Sequence, residues 1–345
     1  MRSEFNPIIT PADVKPSREG FEVIGVFNAG VARFEKEVIL LLRVAERPAN
    51  PRSDVVLAAV YDVGAGGLVT KEFSKDDPKN DFSDPRLIIV PDGTYLTSIS
   101  HLRVARSTDG VTFEIQDSPA LFPASEYEAF GVEDPRISPI DGVYYISYVA
   151  VSSVGVTTCL ASTDDFIHFQ RYGVIFCPEN KDVTLWPEKI SGRYYALHRP
   201  SSPLVRRNEM WIAESPDLIC WGNHQHLVGP RPESWDEAKI GPSAVPFRIE
   251  QGWLEVYHGA DRDNRYCLGA LVLDSHEPWK VIARSERPIF EPETDYECAG
   301  FFGNVVFSCG LLYEGDMLKM YYGAADTTIC YAELSLRQVL ESMSL

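Results

Sequence analysis

Turn glycines followed by alternating runs of aromatic or apolar residues recur along this chain, at Gly93-Thr94-Tyr95, Gly142-Val143-Tyr144, Gly192-Arg193-Tyr194, Gly252-Trp253 and Gly315-Asp316-Met317-Leu318. The glycines step by 49, 50, 60 and 63 residues. After three of these runs stands a second signature, a serine and an aspartate two apart with a bulky aromatic behind: Ser107/Asp109/Phe113, Ser162/Asp164/Phe169 and Ser215/Asp217/Trp221. Between the two signatures, segments such as 144–150 and 253–257 are rich in the β-branched and aromatic residues that suit pleated surfaces. Helical periodicity is confined to the tail, 334–345, which predicts a short C-terminal helix.

A strand-rich unit repeated every 40 to 60 residues or so is the pattern of a propeller blade, and five such units fit 345 residues. The predicted fold is all-β, a five-bladed β-propeller with a short C-terminal helix. Segment 26–47, two apolar runs around Glu35-Lys36-Glu37, is expected to supply strands that help close the ring. No Ser/Gly/Pro-rich linker divides the chain, so 1–345 is read as a single domain. A β-sandwich or two small β domains is the alternative that the same strand pattern allows.

Composition narrows the class. Hydrophobic residues at 45% and charged residues at 24% are ordinary globular values, which argues against disordered and fibrous readings. Seven cysteines, odd in number and without a CxxC pair, do not resemble the framework of a small secreted domain, so a reducing compartment fits. The start, Met1-Arg2-Ser3-Glu4-Phe5-Asn6-Pro7, meets charge and proline before any apolar run. The run 38–42 stops at Arg43, far short of the roughly 20 apolar residues of a membrane helix. A cytoplasmic location is therefore expected, with no membrane partner. The net charge of −18 repels nucleic acid, which is not expected as a partner either. Anion binding in such a chain needs a local cluster of cations.

In a propeller the inner strands point at one central funnel, so functional side chains are expected about once per unit. Each unit offers polar residues embedded in apolar strand sequence: Asn28 and Arg43; Glu133-Asp134-Pro135-Arg136; Asn180-Lys181-Asp182 with His198-Arg199-Pro200; Lys239-Ile240-Gly241 with Tyr257-His258-Gly259; and Asn304 with Tyr322 to Asp326. Singly, each has a structural explanation: Asp134 as a turn residue, Arg199 as an ion-pair partner, His258 as a core histidine. Together, Lys181, Arg199, Lys239 and His258 in so acidic a chain suggest a positive pocket for an anion. Phe82-Ser83-Asp84-Pro85-Arg86 echoes the segment around Asp134 and competes with it as the acidic motif. The histidines lack metal-ligand spacing, and no G-x-S-x-G elbow, P-loop or dinucleotide fingerprint is present. Carbohydrate chemistry remains.

At these residues the chain resembles glycoside hydrolase family 130, the mannoside phosphorylases and β-mannosidases. The matching segments are Phe27-Asn28-Ala29-Gly30 with Arg43, Gly131-Val132-Glu133-Asp134-Pro135-Arg136-Ile137, Trp186-Pro187-Glu188-Lys189-Ile190, Leu197-His198-Arg199-Pro200, Lys239-Ile240-Gly241, Tyr257-His258-Gly259, Tyr296-Glu297 and Tyr321-Tyr322-Gly323-Ala324-Ala325-Asp326. The resemblance implies that Asp134 is the general acid, with Asp84 the weaker candidate, and that the proton travels through the mannosyl 3-hydroxyl. It implies that Asn28, Arg43 and Asp326 hold the −1 sugar, with Glu133, Tyr257 and Asn304 as further substrate-binding positions. Lys181, Arg199, Lys239 and His258 match the phosphate cradle; lysine at 181 keeps the charge but loses the bidentate fork of arginine. Tyr257, Tyr322 and Phe302 are candidates for lining the sugar sites or for the core.

The cradle separates the family's two chemistries. An inverting hydrolase needs a second carboxylate to activate water, for which Glu133, Asp182 and Glu188 are the candidates. A phosphorylase needs only a cationic pocket that aligns phosphate for attack at C1. The expected reaction is phosphorolysis of a β-mannoside with inversion to α-mannose 1-phosphate, with phosphate as co-substrate and no cofactor. The N-terminal segments through Pro48 look most like the 1,2-β-mannobiose or 1,2-β-oligomannan phosphorylases. The β-1,4-mannosyl-glucose or manno-oligosaccharide enzymes, a phosphate-independent β-mannosidase and a non-catalytic sugar-binding propeller are the alternatives. Homo-oligomer formation is left open.

Overall fold

The computed structural model describes residues 1–201 and 208–345 and is built almost wholly from antiparallel strands. Its largest sheet orders the strands Phe21–Phe34, Glu37–Pro48, Ile99–Ser107, Gly131–Ile140, Val143–Ser152, Gly155–Thr163 and Gln170–Phe176, with Glu114–Ile115 beside Ile99–Ser107. Its two halves are joined by a single parallel pair, Ser100 with Gly131. A four-stranded meander, Asn180–Leu185 to Gly222–Val228, follows. Next come a five-stranded sheet from Lys239–Pro242 to Val281–Arg284 and a three-stranded one from Val306–Glu314 to Thr328–Ser335. Two hairpins, Val55–Asp62 with Gly67–Ser74 and Leu87–Val90 with Gly93–Leu96, stand apart from these sheets.

The repeat read from the sequence has a clear local cause, with one shift of register. Ser107 and Asp109 close the turn after Ile99–Ser107: the serine hydroxyl accepts from the Gly110 amide, and Asp109 Oδ1 accepts from the amides of Val111 and Thr112. Ser215 and Asp217 do the same for Leu218, Ile219 and Cys220. In the middle unit the turn is made by Thr163 and Asp165, one residue beyond the expected Ser162 and Asp164. Threonine supplies the same oxygen as serine, so a pattern keyed on serine fell one place short.

One other expectation shifts. Gly93 turns the small separate hairpin, while the corresponding turn of the first sheet is Glu35-Lys36, with Glu35 at φ 51°. Segment 26–47 forms the first two strands of the first sheet, with the Val26 amide donating to the Thr327 carbonyl at 2.9 Å, and Arg2 and Ile9 pair with the last strand, at Ala332 and Ile329. The C-terminal helix is Leu336–Glu341, started by the Ser335 side chain accepting from the Gln338 amide. Leu336 and Val339 face inward onto Leu318 and Ala332.

Apolar faces of neighbouring sheets meet in the core. Trp186 and Trp253, both fully buried, meet edge to face with centroids 6.3 Å apart. Leu254, Val256 and Leu268 pack with Leu318, Met320 and Tyr322. No helix among the described residues is long and apolar enough to cross a membrane.

Candidate active site

The first strands of three successive four-strand groups are broken at similar places. Register shifts fall between Phe27 and Gly30, opposite Asp134 in Gly131–Ile140, and between Lys181 and Thr184. At these breaks Asn28, Asp134 and Asp182 take left-handed backbone, with φ 50°, 45° and 58°, and Asp326 does so in the turn after Met317–Ala324, with φ 49°. Asn and Asp tolerate that conformation better than other non-glycine residues, and a bulge re-aims the side chain it carries. All four side chains line one cavity of about 310 Å³, together with Arg43, Arg86, Glu133, Lys181, Arg199, His258 and Tyr266.

On one side of this cavity sits Asp134. Asn28 Nδ2 and Arg43 Nη1 both donate to its Oδ1, each at 2.9 Å. Among the described residues no donor reaches Oδ2, which leaves that oxygen to carry a proton. Arg43 is itself fixed by Glu133 at 2.7 Å, by the Ser100 hydroxyl at 3.1 Å and by lying over the Phe27 ring. Burial pushes the Asp134 carboxyl up, but Arg43, Arg136 and the Asn28 amide outweigh it and hold the group below its ordinary range. Glu133 is raised instead, burial outweighing its pairing with Arg43. Close approach is needed here: a Cβ on Gly323 would stand 2.4 Å from Asn28 Oδ1.

Burial, with Asp134 and Glu133 nearby, raises Asp326 to about 6 despite Arg43 and Arg86. In the unfolded chain the group titrates near 3.8, so the native state loses stability as pH rises from about 4 through about 6. Asp326→Asn is therefore expected to melt about 5 °C higher than the parent at pH 7. Calorimetry should find that advantage shrinking as pH falls through 6 and gone below about 4; a constant difference at every pH would refute it.

The opposite side is cationic. Lys181 and Arg199 are cross-strand partners. Arg199 Nε lies 2.7 Å from Asp182 Oδ2, and Arg136 Nη2 donates to Asp182 Oδ1 at 3.1 Å. Arg136, fully buried, also donates to the carbonyls of Asp134, Pro242 and Ser243, which ties the acid-bearing strand to Lys239–Pro242. His258 lies against Gly241, where a Cβ would come within 2.6 Å of Cε1. Burial first, then Arg199, Arg136 and Lys181, lowers His258 to about 3 against the pull of Asp182. The expected four cations are thus three cations and one neutral imidazole. Lys239 Nζ donates to the Tyr266 hydroxyl at 2.7 Å and lines an adjoining pocket of about 220 Å³ that shares Lys181, Arg199 and Tyr266. Burial, then Arg199 and Arg86, lowers it to about 8.

Four sequence candidates, Tyr257, Tyr322, Asn304 and Asp84, fall elsewhere. Tyr257 is buried under Trp235, its hydroxyl donating to Asp236 at 2.9 Å, and does not line the cavity. Tyr322 is a core residue bonded to Glu297. Asn304 is exposed at φ 60°, and it is its carbonyl that accepts, from the Tyr266 amide. Asp84 is engaged by Arg86 and lines a separate pocket with Arg47, Arg52 and Lys75, not the cavity. Among the candidate bases, Glu188 pairs with Arg248 at the surface, Asp182 is occupied by two guanidinium groups, and Glu133 is tied to Arg43. Arg86 and Tyr266 were missed. The echo of Asp134-Pro135-Arg136 at Asp84-Pro85-Arg86 was the available signal for the first: Arg86 enters the cavity and lies over Phe302, which also lines it.

The family model described as β-1,4-mannooligosaccharide phosphorylase, glycoside hydrolase family 130, matches residues 85–345. The chain is 48% identical to β-1,2-mannobiose phosphorylase of Listeria innocua serovar 6a over 99% of its length and 98% of the relative's. It is 41% identical to 1,2-β-oligomannan phosphorylase of Thermoanaerobacter sp. (strain X514), covering 82% and 90% of the two chains. The solved structure of the Listeria innocua enzyme with β-1,2-mannobiose superposes with a TM-score of 0.97 over 99% of this chain and 98% of that one. This chain belongs to glycoside hydrolase family 130.

Proposed function

We propose that this chain is an inverting glycoside phosphorylase that cleaves β-1,2-mannobiose or short β-1,2-oligomannans with inorganic phosphate, releasing α-mannose 1-phosphate. The observation that carries the reading is the cavity itself. An acid with a free oxygen, Asp134, faces Lys181 and Arg199, and the three candidate bases Glu133, Asp182 and Glu188 are each paired with a guanidinium. The two relatives that cover 99% and 82% of this chain, at 48% and 41% identity, are named for β-1,2-linked mannosides, whereas the relative named for β-1,4-mannooligosaccharides is 32% identical over 70% of it, which favours the β-1,2 linkage.

Asn28, Arg43 and Asp326 hold the mannosyl unit beside Asp134. Phosphate sits against Lys181, Arg199 and His258, with Lys239 extending the cradle through Tyr266. In the step, a phosphate oxygen forms a bond to C1 from the face opposite the leaving sugar, the glycosidic C1–O bond breaks, and the proton of Asp134 passes to the departing oxygen. The proton that hydrogenphosphate loses on becoming the ester restores the acid. Against burial, Arg43, Arg136 and the Asn28 amide hold Asp134 low; bound phosphate adds negative charge that raises it toward a donating value. The scaffold is read as a single five-bladed propeller domain, a reading supported by the four-strand groups of the sheets and by the Arg2 and Ile9 pairings that tie the start of the chain to its last strand.

The test is incubation with β-1,2-mannobiose, with and without phosphate, followed by phosphorus and proton NMR. α-Mannose 1-phosphate formed only with phosphate is the expected result. Equal mannose release in both, without the ester, would establish a hydrolase, and Lys239→Ala would then leave activity intact. No turnover in either, with binding unchanged in Asp134→Asn, would establish a sugar-binding protein.

A further inference from the structure

His258 is the one uncharged member of the proposed cradle, so its contribution depends on which ring nitrogen carries the hydrogen. Nδ1 lies 3.2 Å from the Ser243 hydroxyl, and Nε2 lies 3.6 Å from Asp182 Oδ2. Asp182 is bound by Arg136 and Arg199 and stays ionised, so it can only accept. A hydrogen on Nε2 meets that negative charge favourably; a lone pair there would be repelled by it. With the hydrogen on Nε2, Nδ1 is an acceptor, and the serine must be the donor. Among the described residues His258 Nδ1 is the Ser243 hydroxyl's partner, so no other acceptor competes for its hydrogen.

The backbone explains why a serine stands there. Pro242 pairs with Tyr257 and Phe247 with Leu254, so residues 243–246 face only Glu255 and Val256 on the partner strand. This bulge turns Ser243, fully buried, toward His258. Its amide donates to Glu255 Oε1 at 3.1 Å and its carbonyl accepts from Arg136 Nε at 3.2 Å, which fixes its orientation. Burial holds the Glu255 carboxyl well above its ordinary range; kept neutral, it places no charge that would draw a proton to Nδ1. The ring is clamped between Gly241 and Phe307, whose centroid is 4.5 Å away.

We propose that Ser243 is a positioning residue for the phosphate co-substrate: its hydroxyl donates to His258 Nδ1, which fixes the Nε2–H tautomer and aims that N–H into the cavity. The inference rests on the phosphorolytic reading, and its test separates the two. In protein labelled with ¹⁵N-histidine, the His258 signal, assigned as the one missing from His258→Gln, should show Nε2 protonated and Nδ1 bare, and added inorganic phosphate should shift Nε2. A His258 signal with the proton on Nδ1 overturns the inference even if mannose 1-phosphate is formed, and it is read on the unsubstituted enzyme. Ser243→Ala is expected to raise KM for phosphate about tenfold, leave KM for β-1,2-mannobiose within about twofold, and move the ¹⁵N signals toward a tautomer mixture. Equal changes in both KM values would reduce Ser243 to a folding role. Absence of mannose 1-phosphate from the unsubstituted enzyme would instead sink the proposed function and leave the tautomer assignment standing.

Discussion

Asp134→Asn is expected to lower kcat/KM for phosphorolysis of β-1,2-mannobiose by about a thousandfold, within the range of a positioned general acid, while the protein stays folded. Asparagine keeps the shape at φ 45°, which it tolerates as aspartate does. Its side-chain oxygen can still accept from Asn28 and Arg43, and Arg43 retains Glu133. What is lost is the proton on Oδ2. The loss should therefore depend on the leaving group: a dinitrophenyl β-mannoside, whose phenolate departs without protonation, should lose less than about tenfold. Steady-state kinetics on both substrates decides the matter. An equal loss on both would make Asp134 a sugar-binding residue, and an unchanged rate on mannobiose would hand the acid's role to Asp84 or Glu133.

Arg199→Met should be nearly as damaging, for two separable reasons. Its guanidinium is proposed as a cradle cation and is also the closest partner of Asp182, at 2.7 Å. Removing one member of a buried pair leaves a charge short of compensation, at a cost of about 3 kcal/mol; Arg136 limits the damage by keeping Oδ1. KM for phosphate should rise by about a hundredfold, since the proposed charge-assisted contact would be lost. Adding Asp182→Asn removes the orphaned charge, so the double variant should regain most of the melting temperature and none of the phosphate affinity. Recovery of both together would show that Arg199 serves the fold alone.

Much of this protein was legible in its sequence. The turn signature of Ser107/Asp109 and Ser215/Asp217 is local chemistry, made within five residues, and so survives translation into structure almost unchanged. Strand segments rich in aromatic and β-branched residues report their own burial. Asn28, Asp134 and Asp326 could be picked out because polar residues in apolar strand sequence need a reason to be there. The same local logic slipped where another residue supplies the same atom, as Thr163 does for Ser162.

The remainder was decided by groups far apart in the chain. Tyr257 carries a motif that looks like a sugar contact, yet Asp236 and Arg284 claim its hydroxyl in the core. Arg86 reads as surface charge in an acidic loop, yet the hairpin that bears it brings the guanidinium over Phe302. His258 reads as a cation, yet burial beside Arg199 and Arg136 strips its charge. Residue types and short-range turns are properties of neighbours in sequence, which the chain itself specifies. Protonation, pairing and access depend on Coulomb and desolvation terms summed over neighbours in space, and only the packed sheets bring Asp134, Asp182, Arg199 and His258 into one cavity.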